Sequence, residues 1–268
     1  MTSKTNIEKQ KKGVIVVKIG GSTLGIGDST LTDLVELKRF GFNVVVVHGG
    51  GKQISEWASK LGIRPEFING LRRTDIQTME VAIGVLAGLI NTKIVNELNV
   101  LGASAVGFSG VSDKLFVGKI KDKKLGLVGE IVECNVKSLI KILKSSIPVI
   151  SPIAFNIDFL NLEEDGILNV NADTAAGFLA KSLNADKLVF QTDVEGVLDF
   201  YGRVIPHMTT SQAKEMIKSG IAKGGMIPKV HACINALSNV SSTHIIDGRI
   251  NKALLDCIFD KKIGTRII

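Results

Sequence analysis

Lys18-Ile19-Gly20-Gly21 and His48-Gly49-Gly50-Gly51-Lys52 join glycines to cationic side chains directly after β-branched runs. A lysine beside two glycines can set an ammonium next to crowded backbone N–H groups, an arrangement that holds an anion. Glycine also lets the backbone itself approach a ligand. Taken alone, the first cluster is equally well an ordinary strand-end turn. Neither has the GxxxxGK[ST] spacing of a Walker loop or the GxGxxG of a dinucleotide site. Two glycine-rich strand ends in one sheet instead suggest a phosphate cradle of another design.

Further polar runs follow. Asn69-Gly70-Leu71-Arg72-Arg73-Thr74-Asp75 precedes a long helical stretch. An arginine entering a helix N-terminus can grip a carboxylate with its planar fork. Asn169-Val170-Asn171-Ala172-Asp173 stands on an apolar background. A helix N-cap explains one of these residues but not three amide or carboxylate groups in five positions. Thr192-Asp193-Val194-Glu195-Gly196-Val197 ends a strand in a polar turn. Lys223-Gly224-Gly225-Met226-Ile227-Pro228-Lys229 combines glycines, a proline suited to the first helical position, and a lysine in the first turn. That lysine opposes the helix dipole, so local stability does not ask for it and an anionic ligand would.

The elements that must position these groups alternate. Strands are expected at 13–19, 43–48, 105–108, 147–151, 187–192 and 243–246. Helices are expected at 31–40, 52–61, 75–101, 136–143, 172–183, 211–219, 229–237 and 252–259. This order predicts an α/β fold with a mainly parallel sheet, whose ligands bind at the carboxyl ends of the strands. Those ends are where the glycines sit. Residues 108–132 break the pattern and predict a β-hairpin insertion.

Composition narrows the classes. The chain has 268 residues, 45% hydrophobic and 22% charged, enough apolar mass for a substantial core. Its net charge of +7 invites a nucleic-acid reading. The basic residues are dispersed, however, apart from the amino-terminal region and Lys121, Lys123 and Lys124, and one Trp and one Tyr leave little for base stacking. No nucleic-acid partner is expected; the surplus suits anionic substrates. Cys134, Cys233 and Cys257 form no CxxC pair, and His231 near Cys233 has no further ligands close in sequence. A reducing cytoplasm is expected, with no membrane partner, because no stretch approaches 18 apolar residues without charge.

KIGG, HGGGKQ, NGLRRTD, NVNADTAAG, TDVEGV, GGMIPK and HIIDGR occur in the order found in N-acetylglutamate kinases, and the chain resembles that branch of the amino-acid kinase family from Val14 to Ile268. The resemblance implies a three-layer αβα sandwich around a mainly parallel open sheet. It implies a flexible segment over 1–13, a lobe over 14–183 for the acetylated amino acid and dimerisation, and a lobe over 184–268 for ATP. By matching motif, Lys18 and Lys229 contact the transferring phosphoryl group and Asp173 orients them. Gly20, Gly21, Gly50 and Gly51 supply backbone donors, the last two also lining the acceptor pocket. Arg72 and Asn169 hold the carboxylate next to the substrate's Cα. Thr192, Asp193, Val194, Gly196 and Val197 border the nucleotide, as do Lys223, Gly224, Gly225 and Met226. The implied substrates are ATP, with Mg2+, and N-acetyl-L-glutamate, and the implied assembly is a homodimer. The 17 residues before Lys18 are shorter than the amino-terminal helix of arginine-inhibited members, which favours an arginine-insensitive dimer.

The implied chemistry accounts for the residue inventory. A carboxylate acceptor, with a reference pKa of about 4.3, is already ionised at neutral pH, so no general base is required. The task is to bring one anion onto another, which positioning and fixed positive potential accomplish. Two departures stand out: Arg73 replaces a small apolar residue, and 109–114 lacks extra glycines. Competing readings are a kinase for aminoadipate or glutamate carried on a small acidic protein, and a non-catalytic nucleotide or amino-acid sensor.

Overall fold

The structure is a computed structural model that describes residues 13–20, 29–68, 70–158 and 166–268. The amino-terminal residues 1–12, Gly21 and Asn69 lie outside the described residues. Along the chain, β1 (Val14–Ile19) leads to α1 (Thr30–Arg39), β2 (Asn43–His48) and α2 (Gly51–Lys60). A small hairpin of β3 (Phe67–Ile68) and β4 (Leu71–Arg72) precedes α3 (Ile76–Ile83), which runs through π-helical turns at Gly84–Ile90 into α4 (Asn91–Val100). Next come β5 (Ala105–Ser109), β6 (Phe116–Ile120), β7 (Gly129–Cys134), α5 (Lys137–Leu143), β8 (Ile147–Ser151), β9 (Ile153–Asn156) and β10 (Ile167–Asn169). The remainder is α6 (Ala172–Ser182), β11 (Lys187–Thr192), β12 (His207–Met208), α7 (Thr210–Lys218), α8 (Met226–Ala236), β13 (Ser242–Asp247), α9 (Ala253–Ile258) and β14 (Thr265–Ile267).

The central sheet has eight strands in the order β12-β14-β13-β11-β1-β2-β8-β5, every pairing parallel except β13 with β14. Helices flank it in an αβα arrangement: α6 packs on β1, β2 and β11 and against α8, while α1 contacts α4 and α9. Strands covered on both faces must be apolar nearly throughout. Accordingly Val16 and Val17 in β1, Val44 to Val47 in β2, and Leu188 to Phe190 in β11 are all buried. From β1 the chain builds β2, β8 and β5 to one side, then returns to lay β11 and β13 on the other. That makes the carboxyl end of β1 a topological switch point, where open α/β sheets form their ligand crevice.

The hairpin at 108–132 is present as β6–β7, antiparallel with a bulge at Val117/Gly118. It belongs to a four-stranded sheet, β10-β9-β6-β7, whose two other strands the periodicity did not reveal. Helix α8 begins at Met226, three residues before the expected start. Pro228 is therefore its third residue rather than its first, still within the turn whose N–H groups lack intrahelical acceptors. By length and composition the stretch Ile76–Val100 is apolar enough to cross a membrane. Here it buries Met79, Ala82, Leu86, Ile90, Ile94 and Leu98 in the core.

Candidate active site

Lys18 is the fifth residue of β1, one step from the strand's carboxyl end. Its Nζ lies 2.8 Å from Asp173 Oδ1, and Lys229 Nζ lies 3.1 Å from Asp173 Oδ2. The lysine side chains are 8% and 13% exposed and the aspartate 6%. Asp173 is held at the start of α6 by the Asn171 cap, whose Oδ1 accepts the N–H groups of Asp173 and Thr174, each at 3.0 Å. Lys229 stands in the first turns of α8 and also donates to Gly225 O at 3.3 Å. The helices that carry these two residues meet at Gly177, where a Cβ would lie 3.2 Å from Ala232 O and 3.3 Å from its Cβ.

Burial lowers the pKa of Lys18 below the usual lysine value, Asp173 pulls it back up, and Lys229 pushes it down again. Burial opposes ionisation of Asp173, but the two ammonium groups outweigh it, and its pKa falls below the ordinary carboxylate value. Two cations and one anion leave a net positive charge in a place where unpaired charge is costly. An anionic ligand completes the array.

Lys18, Asp173, Gly50, Gly51, Arg72 and Asn169 line one cavity of about 260 Å³. Helices α2 and α6 both begin at its wall, presenting positive dipole ends. A Cβ on Gly51 would meet nothing within 4 Å, whereas one on Gly50 would lie 2.5 Å from Ile90 Cδ1. Arg72 is in β4, not at a helix N-terminus as its position in the sequence suggested; Asp75 caps α3. Its Nη2 donates to Gly51 O and to Ser55 Oγ, each at 2.7 Å, and the guanidinium lies 4.8 Å from the centre of the Phe67 ring. Nη1 is buried with no protein acceptor, a donor left for a ligand. Arg73 instead pairs with Glu66 at 3.2 Å on the surface, so its charge does not enter the cavity.

His48 lies buried under the glycine loop. Its Nδ1 is 2.9 Å from Gly49 O, and its Nε2 is 3.3 Å from Asn91 Nδ2, which donates to Val149 O at 2.8 Å. This geometry assigns a neutral ring protonated at Nδ1. Burial lowers its pKa to about 4; the Gly49 bond opposes the shift and Lys18 reinforces it. Ser55 and Asn91 are polar partners that motif reading passed over.

The remaining sequence-derived candidates lie outside this cavity. Gly20 follows β1, and Thr192 ends the neighbouring β11, where its hydroxyl donates to Asp193 Oδ1 at 3.2 Å. Val197 is buried, its N–H on Thr265 Oγ1 at 2.8 Å, and a Cβ on Gly196 would lie 2.7 Å from that oxygen. Asp193 and Val194 are exposed. Lys223 is exposed, and Met226 opens α8. Gly224, at φ +52°, and Gly225 border a second cavity of about 710 Å³ that also touches Thr174, His231 and the β6–β7 hairpin. Among the described residues no three His, Cys, Asp or Glu side chains are grouped to hold a metal ion.

The amino acid kinase family profile matches residues 13–247. An acetylglutamate kinase from Caldanaerobacter subterraneus subsp. tengcongensis is 44% identical, the match covering 97% of this chain and 89% of the relative. One from Dehalococcoides mccartyi is 37% identical over 98% of this chain and 97% of its own. Among solved structures, smu.665 from Streptococcus mutans superposes with a TM-score of 0.81 at 28% identity, covering 95% of this chain and 98% of that one.

Proposed function

The chain belongs to the amino acid kinase family, and we infer that it is an ATP-dependent kinase that phosphorylates N-acetyl-L-glutamate on its side-chain carboxylate. The product is N-acetylglutamyl 5-phosphate, and the reaction serves arginine biosynthesis. The observation that carries this reading is the buried Lys18–Asp173–Lys229 array, net positive, in and beside a cavity that also holds the unpaired Arg72 Nη1.

A carboxylate oxygen of the acceptor forms the new bond to the γ-phosphorus as the bond to the ADP oxygen breaks. No proton moves, so no base is required. Charge spreads over the γ-phosphoryl oxygens, and Lys18 and Lys229 meet it from either side while Asp173 holds both ammonium groups in place. Arg72 and Asn169 hold the α-carboxylate. Gly50 and Gly51 offer backbone donors, as do Gly20 and Gly21. The 192–197 turn and residues 223–226 border the nucleotide. Among the described residues the one carboxylate lining the cavity is Asp173, and both of its oxygens already engage lysines. Mg2+ would enter with ATP as part of the substrate and would neutralise part of the phosphate charge there. The family resemblance further supports an acceptor-binding lobe over 14–183, a nucleotide lobe over 184–268, and a cytoplasmic homodimer.

The carrier-linked reading is not favoured, because relatives named acetylglutamate kinase match at 37–44% identity over nearly the whole chain. A sensor has no need of the complete Lys–Asp–Lys array. The test is acyl-phosphate formation trapped with hydroxylamine, using ATP and Mg2+ with N-acetylglutamate, glutamate, aspartate or N-acetyl-aminoadipate as acceptor. Robust turnover with N-acetylglutamate is expected. ATP binding with no turnover of any free acceptor would sink the proposal.

A further inference from the structure

Thr74 is fully buried, and a buried hydroxyl must find partners. Its Oγ1 donates to the carbonyl of Arg72 at 3.1 Å and accepts from Asn169 Nδ2 at 3.1 Å, across 95 residues of sequence. These are the two residues assigned above to the acceptor's α-carboxylate. Its backbone is engaged as well: the N–H donates to Leu125 O at 2.9 Å, and the carbonyl accepts from Leu127 N at 2.6 Å. Between those two stands Gly126, at φ +67°, where a Cβ would lie 2.3 Å from Thr74 O. Conformation and space both demand glycine there. Asn169 joins the same turn from the other side, its N–H donating to Leu127 O at 2.8 Å.

We propose that Thr74 is a positioning residue for the acceptor: its hydroxyl, backbone N–H and carbonyl tie Arg72, Asn169 and the 125–127 turn into a single frame around the carboxylate-binding groups. The direction of the hydroxyl bond matters. Because the Thr74 proton goes to the Arg72 carbonyl, the lone pair left on Oγ1 takes the Asn169 amide N–H. That fixes the Asn169 amide with one Nδ2 hydrogen on Thr74 and leaves the second hydrogen of the same nitrogen to donate to a carboxylate. The Arg72 side chain is set separately by Ser55 and Gly51, so Thr74 governs the backbone from which the guanidinium departs. None of these contacts reaches Lys18 or Lys229. The effect of Thr74 is confined to the acceptor.

Thr74→Val keeps the shape and removes the hydroxyl. With two neutral hydrogen bonds lost, KM for N-acetylglutamate is expected to rise roughly 5- to 30-fold while KM for ATP stays within about twofold. Thr74→Ser, which keeps the hydroxyl, is expected to restore KM to near the wild-type value. Gly126→Ala is expected to raise the same KM by straining the turn against Thr74 O. Should Thr74→Val not fold, Thr74→Ala in the same two titrations decides the matter. An unchanged acceptor KM in a folded hydroxyl-less variant overturns the proposal. So does an equal rise in both KM values that serine does not restore, since that is the signature of packing alone. The proposal rests on the acceptor reading of Arg72 and Asn169, yet the two fail separately. If the wild-type enzyme proves to use another carboxylate acceptor, the N-acetylglutamate assignment falls, and the KM split measured with that acceptor still tests Thr74.

Discussion

The cavity assigned to the acceptor and the edge assigned to the nucleotide sit on the same row of strand ends, and they are built differently. Around the cavity, polar groups are buried and cross-braced: Asp173 by two lysines, Arg72 by Ser55 and Gly51, His48 by Asn91. Along the nucleotide edge Thr192, Gly196 and Val197 are buried, but the chain between and beyond them turns in the open. Val194 is 37% exposed, Phe200 and Tyr201 at the following turn are 82% and 78% exposed, and Gly224 bends through a positive φ. The contrast matches the two tasks. Groups that stabilise charge developing in a transition state act best when fixed beforehand. Groups that admit and release a cosubstrate need only bind it. Substitutions on the braced side are therefore expected to cost rate or acceptor affinity, and those on the open side to cost little.

The largest effect is expected at the ionic array. Lys18→Ala and Lys229→Ala each lower kcat about 100- to 1000-fold, the usual scale for one lost electrostatic donor. ADP release by variants that retain wild-type melting temperature measures it, and near-normal turnover in either would remove that lysine from the mechanism. Asp173→Asn is expected to move the alkaline limb of the kcat–pH profile to lower pH. The sign follows because Asp173 raises the pKa of Lys18, and Lys18 acts as the cation. An unmoved limb would separate Asp173 from Lys18.

Next in size is Arg72→Lys. A single ammonium cannot serve Gly51, Ser55 and a ligand carboxylate together. KM for N-acetylglutamate is expected to rise about tenfold or more, with KM for ATP unchanged; equal changes in both would erase the distinction between the two sides.

A stability readout tests the bracing beneath the glycine loop. His48 has a folded pKa of about 4 against an ordinary value of 6.5, so between those values the unfolded chain binds the extra proton. Its contribution is complete above pH 6.5 and is lost as pH falls toward 4, on the order of 3 kcal/mol. Thermal melts from pH 7 to 4 should show this slope reduced in His48→Gln. An identical slope in the variant would place the titration elsewhere. The smallest effect is expected on the open side: Lys223→Ala raises KM for ATP no more than about fivefold, as for other exposed charges. A hundredfold loss there would show that this edge depends on fixed groups as much as the cavity does.

What could be read in advance follows from how local each signal is. The runs at 43–48, 147–151 and 187–192 are largely apolar, bounded and buried on both faces, and they match their strands residue for residue. The glycine clusters stand out because two of them, each beside a lysine, close strands of one sheet, which a single strand-end turn does not explain. Strands β3, β4, β12 and β14 have only two or three residues, too short to show a period. That is why Arg72 looked like a residue entering a helix. Ser55 and Asn91 carry no local mark at all, and Thr74, though inside the 69–75 run, shows no sign there of its role. Their partners lie 17, 43 and 95 residues away, and a polar side chain whose partner is distant reads like any surface residue until the chain is folded.

The most direct test of the chemistry is an oxygen-transfer measurement. N-acetylglutamate labelled with 18O in both side-chain carboxylate oxygens is incubated with enzyme, ATP and Mg2+, and the acyl phosphate is cleaved at its carbonyl carbon by hydroxylamine. Attack by the acceptor carboxylate predicts released phosphate carrying one 18O, visible as an isotope-shifted 31P resonance. Phosphate without label, formed as fast as ADP, would mean that water attacks ATP and that the Lys18–Asp173–Lys229 array does not join these two anions.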